Sequence, residues 1–275
     1  MKTMRFVVLC FVVMALFSAC ANMQGQGVVG ASSPVLSKIV ERGELVVGTA
    51  ASMPPLNMTT KEGEIIGFEI DLARNMASAM GVKLNLMAMP FSDLLPALEA
   101  GRVDVILSNM TITGERNRKV AFAGPYFVSG KSFLTKYKKI ASAKDPSEVN
   151  SPATTLAALK GSTSQAFVEE LIPKAKLVPT KDYDEAVKMV LQDEVDALIA
   201  DYPICVVSVF RYPDQNLVAS VTPLTYEPIG VALPANDPLL VNWVDNFLNA
   251  MEGSGALRML RKRWFADASW LERLP

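Results

Sequence analysis

From residue 38 onward the chain alternates short apolar runs with amphipathic stretches, and this alternation constrains the fold more than any other feature. A short helix is expected over 37–42, stopped at Gly43, followed by a compact apolar strand over 45–49. Pro54 and Pro55 mark a loop, and Lys61-Glu62-Gly63 a turn. Leu72, Met76 and Met80 recur at four-residue spacing, which predicts a helix over 68–80 ended by Gly81. A strand over 82–89, a helix over 92–100 stopped by Gly101 and a strand over 103–107 follow. This βαβαβ order implies a mainly parallel sheet flanked by helices, the α/β class. A second unit opens near Lys160. Residues 155–159 read as helix, Gly161-Ser162-Thr163-Ser164 leads into a helix ending at Leu171, and 176–178 reads as a strand. A helix over 183–192, with Ala186, Val187 and Val190 on one face, precedes a strand over 195–200. The last fifty residues break the pattern: 224–233 is extended, while 238–253 and 256–265 are helices suited to packing.

The two units echo each other. Val103-Asp104 opens one strand and Val195-Asp196 the other, and a polar residue, Asn109 or Asp201, follows each strand. Both polar residues fall at C-terminal strand ends, where open α/β sheets collect their ligands.

Composition excludes several chemistries. The 275-residue chain has no histidine, three cysteines and a formal net charge of −1. Without histidine there is no Ser-His-Asp or Cys-His catalysis and no histidine-held zinc or haem. Three cysteines fall short of an all-cysteine zinc site, so neither a metal nor another cofactor is expected. The charge argues against a nucleic-acid partner.

Residues 1–20 read as an export signal. Lys2 and Arg5 precede twelve apolar residues, 6–17, too few to cross about 30 Å of hydrocarbon. Leu16-Phe17-Ser18-Ala19-Cys20 resembles a bacterial lipobox, in which the cysteine is lipidated and becomes the N-terminus; Phe17 stands where leucine is usual. Ala19-Cys20-Ala21 also fits an A-x-A cleavage site. The lipoprotein reading is preferred, because cysteine is otherwise rare in leaders. Cys10 is a small hydrophobe of the apolar run. The leader carries two basic and no acidic residues, so the mature chain has 27 − 2 = 25 basic and 28 acidic residues, net −3. Cys205 lies in the apolar run 204–209 and is expected to be a buried structural thiol. Residues 21–37, rich in Gly, Ser and Gln, read as a flexible tether.

At Gly67-Phe68-Glu69-Ile70-Asp71-Leu72-Ala73, and over essentially everything from residue 38 on, the chain resembles the bacterial extracellular solute-binding proteins of the amino-acid type (family 3), the receptors of ABC importers. The likeness continues at Gly101-Arg102-Val103-Asp104-Val105-Ile106, Thr111-Ile112-Thr113-Gly114-Glu115-Arg116 and Phe122-Ala123-Gly124-Pro125-Tyr126-Phe127. It resumes at Leu159-Lys160-Gly161-Ser162-Thr163, Val195-Asp196-Ala197 and Glu227-Pro228-Ile229-Gly230-Val231-Ala232. The resemblance implies the two-lobe, type II periplasmic-binding-protein fold, each lobe a mainly parallel sheet flanked by helices and joined to the other by two crossover strands. Lobe 1 would hold 38–128 and 226–275, lobe 2 would hold 129–225, and the crossovers would fall near 128–131 and 222–227. The implied partners are a free amino acid and a membrane permease, and the implied state is an exported, membrane-anchored monomer in the periplasm or on the cell surface.

A zwitterion asks for a cation and N–H donors at one end, and acceptors with an anion at the other. By the family's pattern Arg116 is the carboxylate clamp, a bidentate match. Thr163 and Ser162 sit at a helix start, where free N–H groups attract anions; ordinary N-capping competes for the same serine and threonine. Asp201 would anchor the ammonium, completed by Asn109 and Thr111. The resemblance points to Ala50, Met53, Leu56 and Phe91 for the ligand's side chain. Binders of cationic amino acids in this family commonly carry an acid near Ala50 and an aromatic near Met53; this chain has neither, so an uncharged ligand side chain is expected. Glu69 and Asp71 open a helix and read as structural, and Glu227 falls at a crossover, where a hinge or latch role is plausible.

An enzyme is the alternative reading. Secreted cyclohexadienyl or arogenate dehydratases share this fold, with an extra cleft carboxylate shortly after the position of Asp201; Ile204 and Cys205 stand there in this chain. A binding protein without histidine should also show little pH dependence between about pH 6 and 8.

Overall fold

The two sheets grow from the same local rule, an apolar strand followed by an amphipathic helix that covers it. The computed structural model describes residues 33–275; the expected leader, its cleavage alternatives, Cys20 and the tether before residue 33 lie outside them. In chain order the elements are α1 (Pro34–Arg42), β1 (Glu44–Thr49), β2 (Ser52–Met53), β3 (Asn57–Thr59), β4 (Ile65–Ile66), α2 (Phe68–Met80), β5 (Lys83–Ala88), α3 (Phe91–Glu99) and β6 (Val105–Ile106). Then come β7 (Val120–Ser129), β8 (Lys131–Thr135), α4 (Lys138–Ala141), β9 (Thr155–Leu159), α5 (Thr163–Leu171), β10 (Lys176–Thr180), α6 (Tyr183–Leu191) and β11 (Ala197–Asp201). The chain closes with α7 (Tyr202–Arg211), β12 (Val218–Ala219), β13 (Glu227–Pro234), α8 (Pro238–Gly253) and α9 (Ala256–Arg261).

One sheet has the order β5-β1-β6-β13-β7 and the other β10-β9-β11-β8-β12. They share one plan: three parallel strands, then two more added through antiparallel pairings. The chain leaves the first sheet at Ser129, enters the second at Lys131, and returns between Ala219 and Glu227, which makes two lobes joined by two crossovers. Gly130 lies where the crossovers meet. A Cβ there would come within 2.3 Å of the Thr225 carbonyl oxygen, so only glycine fits.

The lobes are also started alike. The Asp104 carboxylate accepts from the Val46 N–H at 2.8 Å, while the Asp104 N–H donates to the Val46 carbonyl at 2.9 Å. Asp196 and Thr155 repeat this reciprocal pair at 2.7 and 2.8 Å. The Val-Asp echo therefore marks the same device twice: an aspartate satisfying a main-chain donor of the neighbouring strand. Helix α2 buries Leu72 and Met76 fully and Met80 in part, matching its apolar spacing. Leu72→Ala at such a site costs about 2–5 kcal/mol.

Two expectations are corrected. Residues 155–159 form β9, not a helix. The two alanines suit a helix, but a five-residue apolar run is too short for periodicity to decide, and its burial between β10 and β11 selects the strand. Residues 34–37, expected within the tether, are helical. Pro34 fits the first helical position, and the Asp237 carboxylate accepts from the Ser33 hydroxyl and the Val35 and Leu36 N–H groups at 2.7–3.0 Å. Burial pushes Asp237 up, but its bonds from Leu36, Leu240, Ser33 and Val35 outweigh that and hold it below the usual carboxylate range. Among the described residues, no helix is long and apolar enough to cross a membrane.

Candidate functional site

Of the ten cleft residues singled out from the sequence, eight line one cavity between the lobes, at the C-terminal ends of the parallel strands; Ala50 and Leu56 do not line it. Met53 follows β1, Phe91 opens α3, and Asn109 and Thr111 follow β6. Arg116 starts the 3-10 turn Arg116–Arg118. From the other lobe come Ser162, Thr163 and Asp201, with Leu159 and Tyr183, which the sequence reading did not single out. The cavity is closed to about 10 Å³, room for about one water. Arg116, Ser162 and Thr163 also face an outer groove of about 560 Å³.

Arg116 is half-buried. Its Nη1 donates to the Thr111 carbonyl at 2.9 Å and its Nη2 to the Gly161 carbonyl, on the other lobe, at 3.2 Å. The guanidinium carbon lies 5.7 Å from the Phe91 ring centre, a cation–π distance. Burial lowers the Arg116 pKa, while Glu227 and Asp201 pull it back up. Both of its protein bonds go to neutral carbonyls, so no described carboxylate pairs with it directly.

Asp201 closes β11 and is 3% exposed. One carboxylate oxygen accepts from Lys131 Nζ at 3.0 Å, the other from Asn109 Nδ2 at 2.7 Å. Lys131, 1% exposed, also lies 3.6 Å from Glu227. Lys131 was absent from the sequence-derived site. The signal was there: a lysine opening the apolar segment Ser132-Phe133-Leu134 of an inner strand demands a buried anion.

Ser162 caps α5, accepting from the Gln165 N–H at 3.2 Å and donating to the Leu159 carbonyl at 2.6 Å, so its hydroxyl is committed to the protein. The Thr163 hydroxyl donates to Glu227 at 3.1 Å and lies 3.4 Å from the Thr111 hydroxyl. The Thr163 and Ser164 N–H groups at the start of α5 lack intrahelical acceptors, leaving an anion-attracting terminus at the cavity.

Asn109 adopts φ of 51°, the left-handed region. Its N–H donates to Glu69 at 2.6 Å; Glu69 also accepts from Asn57 Nδ2 at 2.5 Å and from the Tyr126 hydroxyl. Glu69 therefore does more than complement a helix dipole. It is fully buried and tethers the backbone that presents Asn109 to Asp201. Burial pushes its carboxyl above the usual range, partly offset by bonds from Tyr126, Asn109 and Asn57. Asp71 instead accepts from Trp264 Nε1 at 2.9 Å and pairs with Arg74 at 3.0 Å. Among the described residues no three acid, histidine or cysteine side chains gather as metal ligands.

Residues 45–267 match bacterial extracellular solute-binding proteins, family 3. This chain belongs to that family. Among its relatives, cyclohexadienyl dehydratase of Pseudomonas aeruginosa is 26% identical, over 96% of this chain and 95% of that protein. The glutamine-binding protein of an ABC transporter from Bacillus subtilis is 28% identical, over 92% and 93%. A solved structure, a putative ABC-transporter binding component from Wolinella succinogenes complexed with lysine, is 39% identical; the match covers 84% of this chain and 99% of that chain, with a TM-score of 0.79. The fold is accordingly the type II periplasmic-binding-protein fold, and family 3 proteins work outside the cytoplasm.

Proposed function

We propose that this family 3 protein is the solute receptor of an amino-acid ABC importer, and that its ligand is a zwitterionic amino acid with an uncharged side chain. The observation that carries the reading is Arg116: a desolvated guanidinium without a carboxylate of its own, facing Asp201 across one cavity. A ligand carboxylate completes Arg116, and a ligand ammonium meets Asp201 and the amide of Asn109. Met53, Phe91, Leu159 and Tyr183 offer the ligand's side chain apolar and aromatic surface, with no acid among them. The closed cavity admits no amino acid, so binding proceeds through hinge opening at the two crossovers, and ligand contacts with both lobes favour closure. Export with lipidation at Cys20, a monomeric state and docking on a membrane permease complete the reading.

The dehydratase relative supports an enzyme as the second reading. Against it, Ile204 and Cys205 are buried in the first turns of α7, and burial pushes the thiol up to about 12, so neither supplies a cleft proton. A thermal-shift screen over the free amino acids separates the two readings. A receptor is stabilised by about 2.7 kcal/mol at 100-fold excess over Kd. Turnover of prephenate or arogenate, with no amino acid shifting Tm, would overturn the receptor reading.

A further inference from the structure

We propose that Lys131 sets the ligand class of this cleft: through Asp201 and Glu227 it makes the site take amino acids with uncharged side chains rather than cationic ones. The inference rests on the receptor reading above and goes one step further, naming the residue that determines specificity.

Charge balance in a dry cleft sets what the site accepts. Four charged side chains meet at the cleft: Arg116 and Lys131 against Asp201 and Glu227. Lys131 sits between the two carboxylates, 3.0 Å from Asp201 and 3.6 Å from Glu227, and all three are at least nine-tenths buried. That cluster carries one net negative charge, and Arg116 one positive charge. A zwitterion satisfies both, carboxylate to Arg116 and ammonium to the cluster, and leaves nothing over. A second positive charge on the ligand would stay uncompensated away from water, which is costly. Without Lys131 the cluster would carry two negative charges and call for a ligand with two positive ones.

The acceptor for the ammonium is also in place. Asn109 is 4% exposed, and its Oδ1 has no hydrogen-bond partner although its Nδ2 is bonded to Asp201. An unmet acceptor beside a carboxylate at the cavity wall is the pattern an ammonium fills, since it brings three donors.

Lys131 is held for this task by the hinge itself. Its N–H donates to Thr225 Oγ1 at 3.0 Å, and its carbonyl accepts from the Leu224 N–H at 2.8 Å, so the second crossover fixes the backbone of the first. Lys131 does not line the cavity and acts through the two carboxylates, as a positioning residue.

Calorimetric titration of the wild type, Lys131→Gln, Glu227→Gln and the double variant with leucine, glutamine, lysine, arginine and the 2-oxo acid of leucine tests the proposal. Lys131→Gln should raise the affinity for lysine or arginine, relative to the better neutral amino acid, by about tenfold or more. Glu227→Gln keeps the Lys131–Asp201 pair and should shift preference the other way, toward the 2-oxo acid over leucine. The double variant restores a single negative charge and should return the preference to that of the wild type. Ratios rather than absolute affinities are read, so a general loosening of the fold does not imitate the effect. If Lys131→Gln does not fold, Glu227→Gln and the double variant still decide. Unchanged ratios in variants of a wild type that binds leucine or glutamine overturn the role of Lys131 alone. A wild type that binds no uncharged amino acid overturns the underlying reading as well.

Discussion

The two lobes are built alike and finished differently. Each sheet sets three parallel strands beside two more added through antiparallel pairings, and each carries the reciprocal aspartate pair, Asp104 with Val46 and Asp196 with Thr155. At the cleft the likeness stops. The first lobe ends its third strand region in Asn109, a neutral amide in the left-handed region, tethered by buried Glu69. The second ends it in Asp201, an extended carboxylate paired with Lys131. One scaffold thus presents a neutral acceptor and a guanidinium on one side and an anion on the other, the polarity a zwitterion requires. The scaffold comes from shared packing rules, and the specificity from a few residues at strand ends.

The sharpest way to break this division of labour is Arg116→Ala. It should remove the stabilisation conferred by any bound amino acid and weaken binding by about a hundredfold or more, measured by thermal shift and calorimetry. If binding survives, the first lobe does not hold the carboxylate through this residue.

The shared frame is tested next. Asp104→Ala and Asp196→Ala each leave a strand N–H unpaired, that of Val46 or of Thr155, at a cost of about 1–3 kcal/mol in urea unfolding. The loss should be larger for Asp104, which is 3% exposed and also bonds Arg42, than for half-buried Asp196. Equal losses would mean that the extra partner adds nothing.

Much of this frame was legible in the chain. Four-residue apolar spacing placed α2, glycines marked the ends of α1, α2 and the α3 region, and the Val-Asp echo pointed to matching strand ends. Asp201 stood out as an acid at a strand end, and Arg116 through the family's pattern. What escaped is non-local. Nothing near Lys131 announces Asp201 seventy positions later, or Glu227 on the other crossover. Tyr183 read only as a helix start, since burial against the other lobe leaves no local pattern. Glu69 looked like an ordinary acid in a helix's first turn, because its partners Asn57, Asn109 and Tyr126 are brought together only by the fold. The sequence of 155–159 favours a helix where β9 forms, and α7 shows only as an apolar run around Cys205, because short apolar stretches carry no period.

A smaller effect sharpens the first lobe's side of the comparison. Glu69 titrates higher in the folded than in the unfolded chain. Between its ordinary value near 4.5 and its raised folded value, the folded chain therefore holds more protons. Stability should fall as pH rises through that window. Glu69→Gln cannot titrate and should flatten this slope, and Asn57, whose Oδ1 lacks a partner, can turn its amide to accept from the new side chain. An unchanged slope would assign the titration to another group.

The smallest expected effect lies in the second lobe. Cys205 is fully buried and its thiol is pushed up to about 12, so a thiol reagent at pH 8 should label it only on unfolding. Rapid labelling of the native protein would show that α7 opens on its own.

On the proposed reading, a cleft with two cations and two anions selects a ligand with no net charge. Calorimetric titration of the wild-type protein against a panel of free amino acids tests it most directly. Saturable one-to-one binding of at least one amino acid with an uncharged side chain is expected, tighter than lysine and arginine by about tenfold or more. Tighter binding of lysine or arginine than of every uncharged amino acid would contradict it.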